Sequence, residues 1–516
     1  MPFPVKKLCD VRMKMTSRSQ RGVVCVFSVS LLKYLCTCLG LSLVGVCAKM
    51  GPRSGGIPRR FLYFQSGRPS RRSRRKSSYR NSIPSPLVLG NTNKNTVEER
   101  FAVAPMMDYT DRHFRAFFRL LSRRTTLYTE MIASPSLLHS SGIHAATEGG
   151  KREEILKLCD TGRFEFPDRL PEGSSRQGAR KEGRTPFQKV DAVLRLSSEE
   201  ETPVVLQLGG CDEESMAASA LLARAYSYSA LNLNCGCPSP TVSDSGGFGA
   251  SLMQRPQLVA SLCRALERGC GGTLPVTVKC RIAAGNSAET TEVHYEELCK
   301  FVKTVSSESS VTHFAVHARK AVLGGLSPAA NRSIPPLRYD FVYRVKEKFP
   351  DLSFSINGGL NTLEDVKEHL SAGLDGTMVG RAVVADPLHF ARIDREVFSE
   401  AGPADTTTRG DLLKRYGSYC DEEDRRQREE GTWRPGARAA MLKPTHHLFA
   451  GLPGSRRFKQ IVTEKQSHHD LEVSDIFEEA LSALPSLTVD APCLPPDENS
   501  SEPRQLQHAR SEEVAH

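Results

Sequence analysis

Asn234, Cys235, Gly236, Cys237 and Pro238 close an apolar run made by Ala230, Leu231 and Leu233. Pro238 cannot continue a central strand and Gly236 permits a tight bend, so a turn is expected just past the C-terminal end of a buried strand. Such a turn presents Asn234 and Cys237 above the sheet. A free cysteine is most often a small buried hydrophobe. The Cys-x-Cys pair also raises metal or a disulfide, but residues i and i+2 of an extended strand lack the closed geometry, and no second pair at ligand spacing follows. Packing and chemistry at a strand exit both remain open for the two thiols; metal, weighed as a third reading, is not expected.

Positioning such a turn needs a sheet, and the chain supplies a rhythm of short β-rich runs separated by helical stretches. Strands are expected over residues 101–106, 127–131, 203–208, 231–234, 275–279, 313–317, 352–356 and 376–379. Helical periods lie between them, over 213–225, 256–268, 295–305, 339–348 and 363–372. Eight strands alternating with helices over this length predict an α/β fold, a (β/α)8 TIM barrel; a doubly wound open sheet is the alternative, since periodicity does not show closure. In a barrel the chemistry collects at the C-terminal strand ends. Those ends read Pro105-Met106-Met107-Asp108, Gln207, Asn234 with Cys237, Lys279 with Arg281, His317 with Arg319, Asn357-Gly358-Gly359, and Gly380-Arg381. The Gly-rich turns after the seventh and eighth strands stand where such barrels bind phosphate, because glycine lets backbone N–H groups approach an anion and Arg381 adds charge. A phosphorylated cofactor is the natural occupant, with Lys279 and His317 facing its ring. Gln207 and Asn234 offer paired donors and acceptors for a flavin-type or pyrimidine edge.

The 516 residues carry a formal charge of +11, but 18 of the basic side chains lie in residues 1–90 against the single acid Asp10. The remainder holds 52 basic and 58 acidic residues, so no global basic field recommends nucleic acid and any RNA contact must be local. Fifteen cysteines without framework spacing point to reduced thiols. Residues 1–95 look like a targeting leader: basic residues precede an apolar run over 23–48, followed by an Arg- and Ser-rich stretch, and no acid occurs between Val11 and Val97. This two-part address suggests a secondary plastid, ahead of a membrane-tethered enzyme (if the apolar run is kept as an anchor) and of the mitochondrion. Residues 148–190 are polar and aperiodic and are expected to be an inserted surface loop within a barrel domain spanning 96–390. A helical region follows over 391–487, with helices near 390–400, 410–416, 438–442 and 474–484 and a basic cluster, Arg456-Arg457-Phe458-Lys459. A disordered tail is expected over 488–516.

The blocks APMMDYTDRHFR (104–115), QLGG (207–210), LNLNCGCPS (231–239), FGASLM (248–253), VTVKCRI (276–282), HARKAVLGGLSP (317–328), NRSIPPL (331–337), SINGG (355–359) and MVGR (378–381) together resemble the A-type tRNA-dihydrouridine synthases over residues 100–470. The resemblance implies a flavin oxidoreductase: an FMN barrel, with NADPH as reductant, that reduces carbons 5 and 6 of a D-loop uracil, followed by a helical domain that grips tRNA. It makes Cys237 the proton donor and Asn234 the residue that positions the base. Pro105, Met106, Met107, Gln207, Lys279, His317, Asn357, Gly358, Gly359, Gly380 and Arg381 match flavin positions, and Arg332, Arg456 and Lys459 match tRNA contacts. Two departures stand out. Cys235 replaces an aliphatic residue and is expected to point inward as barrel packing. Ala329 stands where relatives often place a lysine for tRNA. The alternatives are an FMN barrel reductase of a small pyrimidine or enone, which would not need the basic helical region, and a non-catalytic tRNA-binding paralogue, which would not need Cys237.

Overall fold

Eight short parallel strands close on themselves, and each is bounded by the apolar runs seen in the sequence. They are β1 (Phe101–Val103), β2 (Thr126–Tyr128), β3 (Val204–Gly209), β4 (Ala230–Cys235), β5 (Val276–Arg281), β6 (His313–His317), β7 (Ser353–Asn357) and β8 (Gly376–Val379). Each pairs in parallel with the next, and β1 pairs with β8, so the sheet has no free edge. This is a (β/α)8 TIM barrel; the open-sheet alternative is excluded. The structure, a computed structural model, describes residues 99–143, 185–243, 246–434 and 436–494. The leader over 1–95, including the apolar run, lies outside the described residues; among these, no helix is long and apolar enough to cross a membrane.

Strands covered on both faces must be apolar almost throughout. Their outer side chains pack against helices α1 (Arg112–Arg119), α2 (Ser134–Ser141), α3 (Pro186–Leu194), α4 (Glu213–Ala223), α5 (Pro256–Cys270), α6 (Glu292–Glu308), α7 (Tyr339–Lys348) and α8 (Leu363–Ser371). The inner face holds small residues, Ala102, Ala104, Val205, Ala230 and Ala315, with Tyr128 and Met378. β4 shows the division plainly: Leu231, Leu233 and Cys235 belong to the outer layer, while Asn232 and Asn234 turn inward. Cys235 was expected to point into the barrel. It instead faces the helices beside Cys263 and Cys280, and burial pushes its thiol well up, as it does for those two.

Part of the expected insertion is ordered helix. α3 starts at a capping box between Thr185 and Gln188, and it buries Val190 and Leu194 in the main core. Residues 144–184 lie outside the described set. Beyond the barrel, α9 (Ile393–Phe398) is tied back to it, because Asp394 accepts from the Ser122 hydroxyl at 2.5 Å and the Arg123 N–H at 2.7 Å. Then come α10 (Arg409–Glu429), α11 (Ala437–Leu442), α12 (Ser455–Lys465) and α13 (Val473–Ser482). α10 docks on α1: Tyr416 lies edge-on to Phe117 at 5.2 Å, and its hydroxyl donates to the Met441 carbonyl at 2.7 Å. The chain expected to be disordered from 488 stays in place to Leu494. There the Cys493 N–H donates to the Thr407 carbonyl at 2.9 Å, and Cys493 and Leu494 are buried in the core; 495–516 lie outside the described residues.

Candidate active site

Registration of the strands brings the polar ends into one ring. Asn234 pairs with Lys279, Arg281 with His317 and Asn357 again with His317, so their side chains share the C-terminal end of the barrel. Inside, they form a continuous chain of amides. Asn232 donates to the Thr277 hydroxyl at 2.9 Å and accepts from Gln207 at 2.8 Å; Gln207 in turn accepts from the Asn234 amide at 2.8 Å. Across the barrel the Lys279 ammonium donates to Asn357 at 3.1 Å, and Asn357 donates to the Met378 carbonyl at 2.7 Å. Buried amides that satisfy one another this way rigidify a site.

Cys237 sits on a turn fastened from three sides. The Asn234 side-chain oxygen accepts from the N–H groups of Gly236 and Cys237 at 3.1 and 3.0 Å. Arg281 donates to the Gly236 carbonyl at 3.1 Å, and the Ala250 N–H donates to the Cys237 carbonyl at 2.9 Å. Gly249, at φ +67°, makes the last contact feasible, since a Cβ there would fall 2.6 Å from the Cys237 carbonyl oxygen. Asn234 therefore spends its oxygen on the turn, leaving one amide N–H for anything above it. The thiol itself is half-buried and open to the mouth.

The mouth is strongly cationic. Lys279, Arg281, Arg319, Arg332 and Arg381 have no carboxylate within ion-pair distance among the described residues. Arg281 is 3% exposed and bonds only to carbonyls, those of Gly236, Asn331 and Lys320. Burial, then Arg281, pushes Lys279 down to about 8. Burial, then Arg281, Lys279, Arg319 and Arg381, holds His317 well below its ordinary value, so it is a neutral imidazole at working pH. Arg319 has a buried Nε with no hydrogen-bond partner. Asn232 and Asn331 were not singled out as site residues from sequence, and Arg281 was named at its strand end without a role. Arg281 carried a usable signal, since it stands two residues after Lys279 and hence on the same strand face.

Gly358 (φ +104°) and Gly359 (φ +82°) form the turn after β7. A Cβ on Gly358 would lie 2.3 Å from the His317 ring carbon, and the two N–H groups have no hydrogen bond among the described residues. Gly380 abuts the sulfur of Met106, linking the turn after β8 to the loop after β1, with Pro105 and Met107 beside it; Arg381 is exposed at that rim. Arg332 lies exposed in the loop after β6, near enough to Arg381 and to the Cys237 sulfur to feel both. Arg456 and Lys459 are not in the mouth. They are exposed on α12, whose Phe458 is buried between them. Lys459 nevertheless acts on His446 together with Lys443, and Lys443 reaches the Asp108 carbonyl in the loop after β1. The arrangement can hold an anion and a planar, hydrogen-bonding ring over a fixed thiol. Among the described residues no three His, Cys, Asp or Glu side chains converge as metal ligands.

Comparison with known proteins agrees with this geometry. The family model described as dihydrouridine synthase (Dus) matches residues 102–159 and 187–481. A tRNA-dihydrouridine(20/20a) synthase of Salmonella typhimurium is 38% identical over 385 residues, covering 75% of this chain and 95% of that protein. The protein of the same description from Escherichia coli is 38% identical over 386 residues, covering 75% and 91%. That from Synechocystis is 39% identical over 358 residues, covering 69% and 86%. Among solved structures, a 2-naphthoyl-CoA reductase complex matches with TM-score 0.35 and 11% identity, covering 59% of this chain and 50% of that one.

Proposed function

The chain belongs to the dihydrouridine synthase family, and from that premise we propose that it reduces the carbon 5–carbon 6 double bond of uridine in the tRNA D-loop, using FMN and NADPH, with Cys237 as proton donor. The description of its relatives as tRNA-dihydrouridine(20/20a) synthases favours positions 20 and 20a as its targets. The observation that carries the reading is Cys237, held on its pinned turn at the exit of β4 beside cations that have no carboxylate partner among the described residues.

The residues present fit FMN. The bare N–H groups of Gly358 and Gly359, with Arg381 and the partnerless Nε of Arg319, would hold a phosphate. The His317 ring fills the space a side chain at Gly358 would take, so only glycine leaves that approach open. Pro105, Met106 and Met107 would cover one side of the ring, while Gln207, Lys279, Asn357 and Gly380 would address its edge. When bound, the flavin supplies the hydride that goes to carbon 6 of the uracil. The Cys237 thiol gives its proton to carbon 5, and the thiolate left behind lies within the influence of Lys279, Arg281 and Arg332. Asn234 keeps the thiol at its station and offers its remaining N–H to the base. Arg332, and farther out Arg456 and Lys459, would hold tRNA phosphates around a uridine turned out of the folded RNA.

Cys237→Ala is expected to keep yellow flavin and tRNA binding while slowing dihydrouridine formation by about 10²–10⁴-fold. Turnover equal to that of the parent protein would remove Cys237 as the acid. We also propose that residues 1–95 direct the chain to an organelle, the plastid foremost, since 18 basic residues face one acid over residues 1–90. Uptake of the full-length chain by isolated plastids, with shortening from its N-terminus, tests this; retention at full length outside the organelle contradicts it.

A further inference from the structure

One aromatic ring at the barrel mouth has no part in the cofactor or acid assignments. Tyr109 is 47% exposed, its neighbour Met107 is 56% exposed, and Ile334, on the Arg332 loop, is 58% exposed. Exposed large apolar side chains grouped around a mouth indicate something that covers them.

The Tyr109 loop is not loose. The N–H groups of Tyr109 and Thr110 donate to the Met106 carbonyl at 3.1 and 3.0 Å, and the Thr110 hydroxyl accepts from the Met106 N–H at 2.9 Å. Asp108 adopts φ +64°, uncommon for a non-glycine residue, and its N–H donates to the Glu130 carboxylate. The loop is also gripped from outside the barrel. Lys443, from the short helix Lys443–His447 that follows α11, donates to the Asp108 carbonyl and places its ammonium 4.3 Å from the centre of the Tyr109 ring. Arg332 is near enough to feel both the Tyr109 phenol and the Cys237 sulfur. The ring thus stands on an ordered loop at the strand ends, with the Lys443 ammonium against it and about half of its surface open.

We propose that Tyr109 is a base-stacking platform for the tRNA, receiving an unpaired D-loop base adjacent to the uridine undergoing reduction, while Lys443 takes a phosphate of that same stretch. This rests on the tRNA reading given above. Three features single out a nucleotide as the occupant. An aromatic face binds any base by stacking; the flanking Lys443 and Arg332 complement phosphate; and a uridine drawn into the barrel must leave its neighbours at the rim where Tyr109 lies.

The test uses the full-length holoenzyme, an unmodified tRNA transcript, and the same tRNA carrying 2-aminopurine beside the target uridine. Tyr109→Ala is expected to weaken tRNA binding by about tenfold and to abolish the quenching of 2-aminopurine seen on binding. Tyr109→Phe restores both, and flavin content stays at the parent level in each. Lys443→Met is expected to weaken binding and to lower its salt dependence by about one charge. Unchanged affinity and quenching in Tyr109→Ala, with the parent active, overturns the platform and leaves the tRNA reading standing. Loss of flavin from Tyr109→Ala also overturns it, by making the ring part of the cofactor site. A parent protein that neither binds tRNA nor forms dihydrouridine defeats the underlying reading and this proposal with it.

Discussion

Lys279 and His317 show how one environment sets two protonation states. Both are desolvated and both feel Arg281, but His317 also faces three further cations and stays neutral, whereas Lys279 comes down only to about 8 and titrates near working pH. The sign matters. Above about 8 the folded protein has released a proton from Lys279 that the unfolded chain keeps to about 10.4, so stability from this group rises with pH across that window. Binding an anionic cofactor reverses the preference, because it favours the ammonium. FMN affinity of the apoprotein is therefore expected to be flat below about pH 8 and to fall above it, by up to about tenfold per pH unit. Titrations of flavin fluorescence quenching from pH 7 to 10 check this. Lys279→Met should flatten the profile, and a wild-type profile flat through pH 9 would rule out Lys279 as the group.

At the scale of elements, the turns after the strands bear most of the constraint. The β7 turn has φ +104° at Gly358, and a methyl group there would press on the His317 ring 2.3 Å away. Gly358→Ala is accordingly expected to cost about 2–4 kcal/mol in the loaded protein and to weaken flavin binding at least about tenfold. Thermal unfolding with and without added FMN measures both; full flavin occupancy in the variant would show that the turn does not need glycine. The turn and all eight strands were legible in the sequence because parallel strands covered on both faces must be continuous apolar runs. The side taken by Cys235 was misread, although alternation along β4 carries it. Asn232 and Asn234 against Leu231, Leu233 and Cys235 marks the inner face, and the last-named thiol belongs with the outer set. The helix expected near 410–416 runs on to Glu429 as α10, and its apolar stripe, Leu412, Leu413, Tyr416 and Cys420, gives way to Glu423 and Asp424. These acids are buried yet paired, Asp424 with Arg438 at 3.0 Å and with the Trp433 N–H at 2.8 Å, so the helix continues where hydrophobic periodicity stops. Nothing local in the sequence tied Lys443 to Asp108, since the contact crosses 335 positions and exists only once α10 and α11 have docked on α1.

For the molecule as a whole, the balance of charge makes RNA binding a matter of placement. Outside the first 90 residues the chain is slightly acidic, so its general field does not attract tRNA and the basic side chains must be concentrated where the RNA lies. Basic side chains do gather along one path: Lys459 and Lys443 both act on His446, Lys443 reaches the loop after β1, and Arg332 and Arg381 continue to the barrel mouth. Arg456 and Lys459 extend that line on the exposed side of α12, which is anchored by the burial of Phe458, Ile461 and Val462. Each phosphate neutralised releases counterions, so the logarithm of affinity should fall linearly with the logarithm of salt concentration. Lys459→Ala is expected to weaken binding of unmodified tRNA and to reduce that slope by about one, with flavin content and thermal stability unchanged because the side chain is exposed. Arg456→Ala should behave alike, and the double variant should shift the slope by about two, since each cation neutralised by its own phosphate contributes about one to the slope. Binding isotherms at four or five salt concentrations decide the matter: a slope untouched by the double variant would place the tRNA elsewhere than along α12.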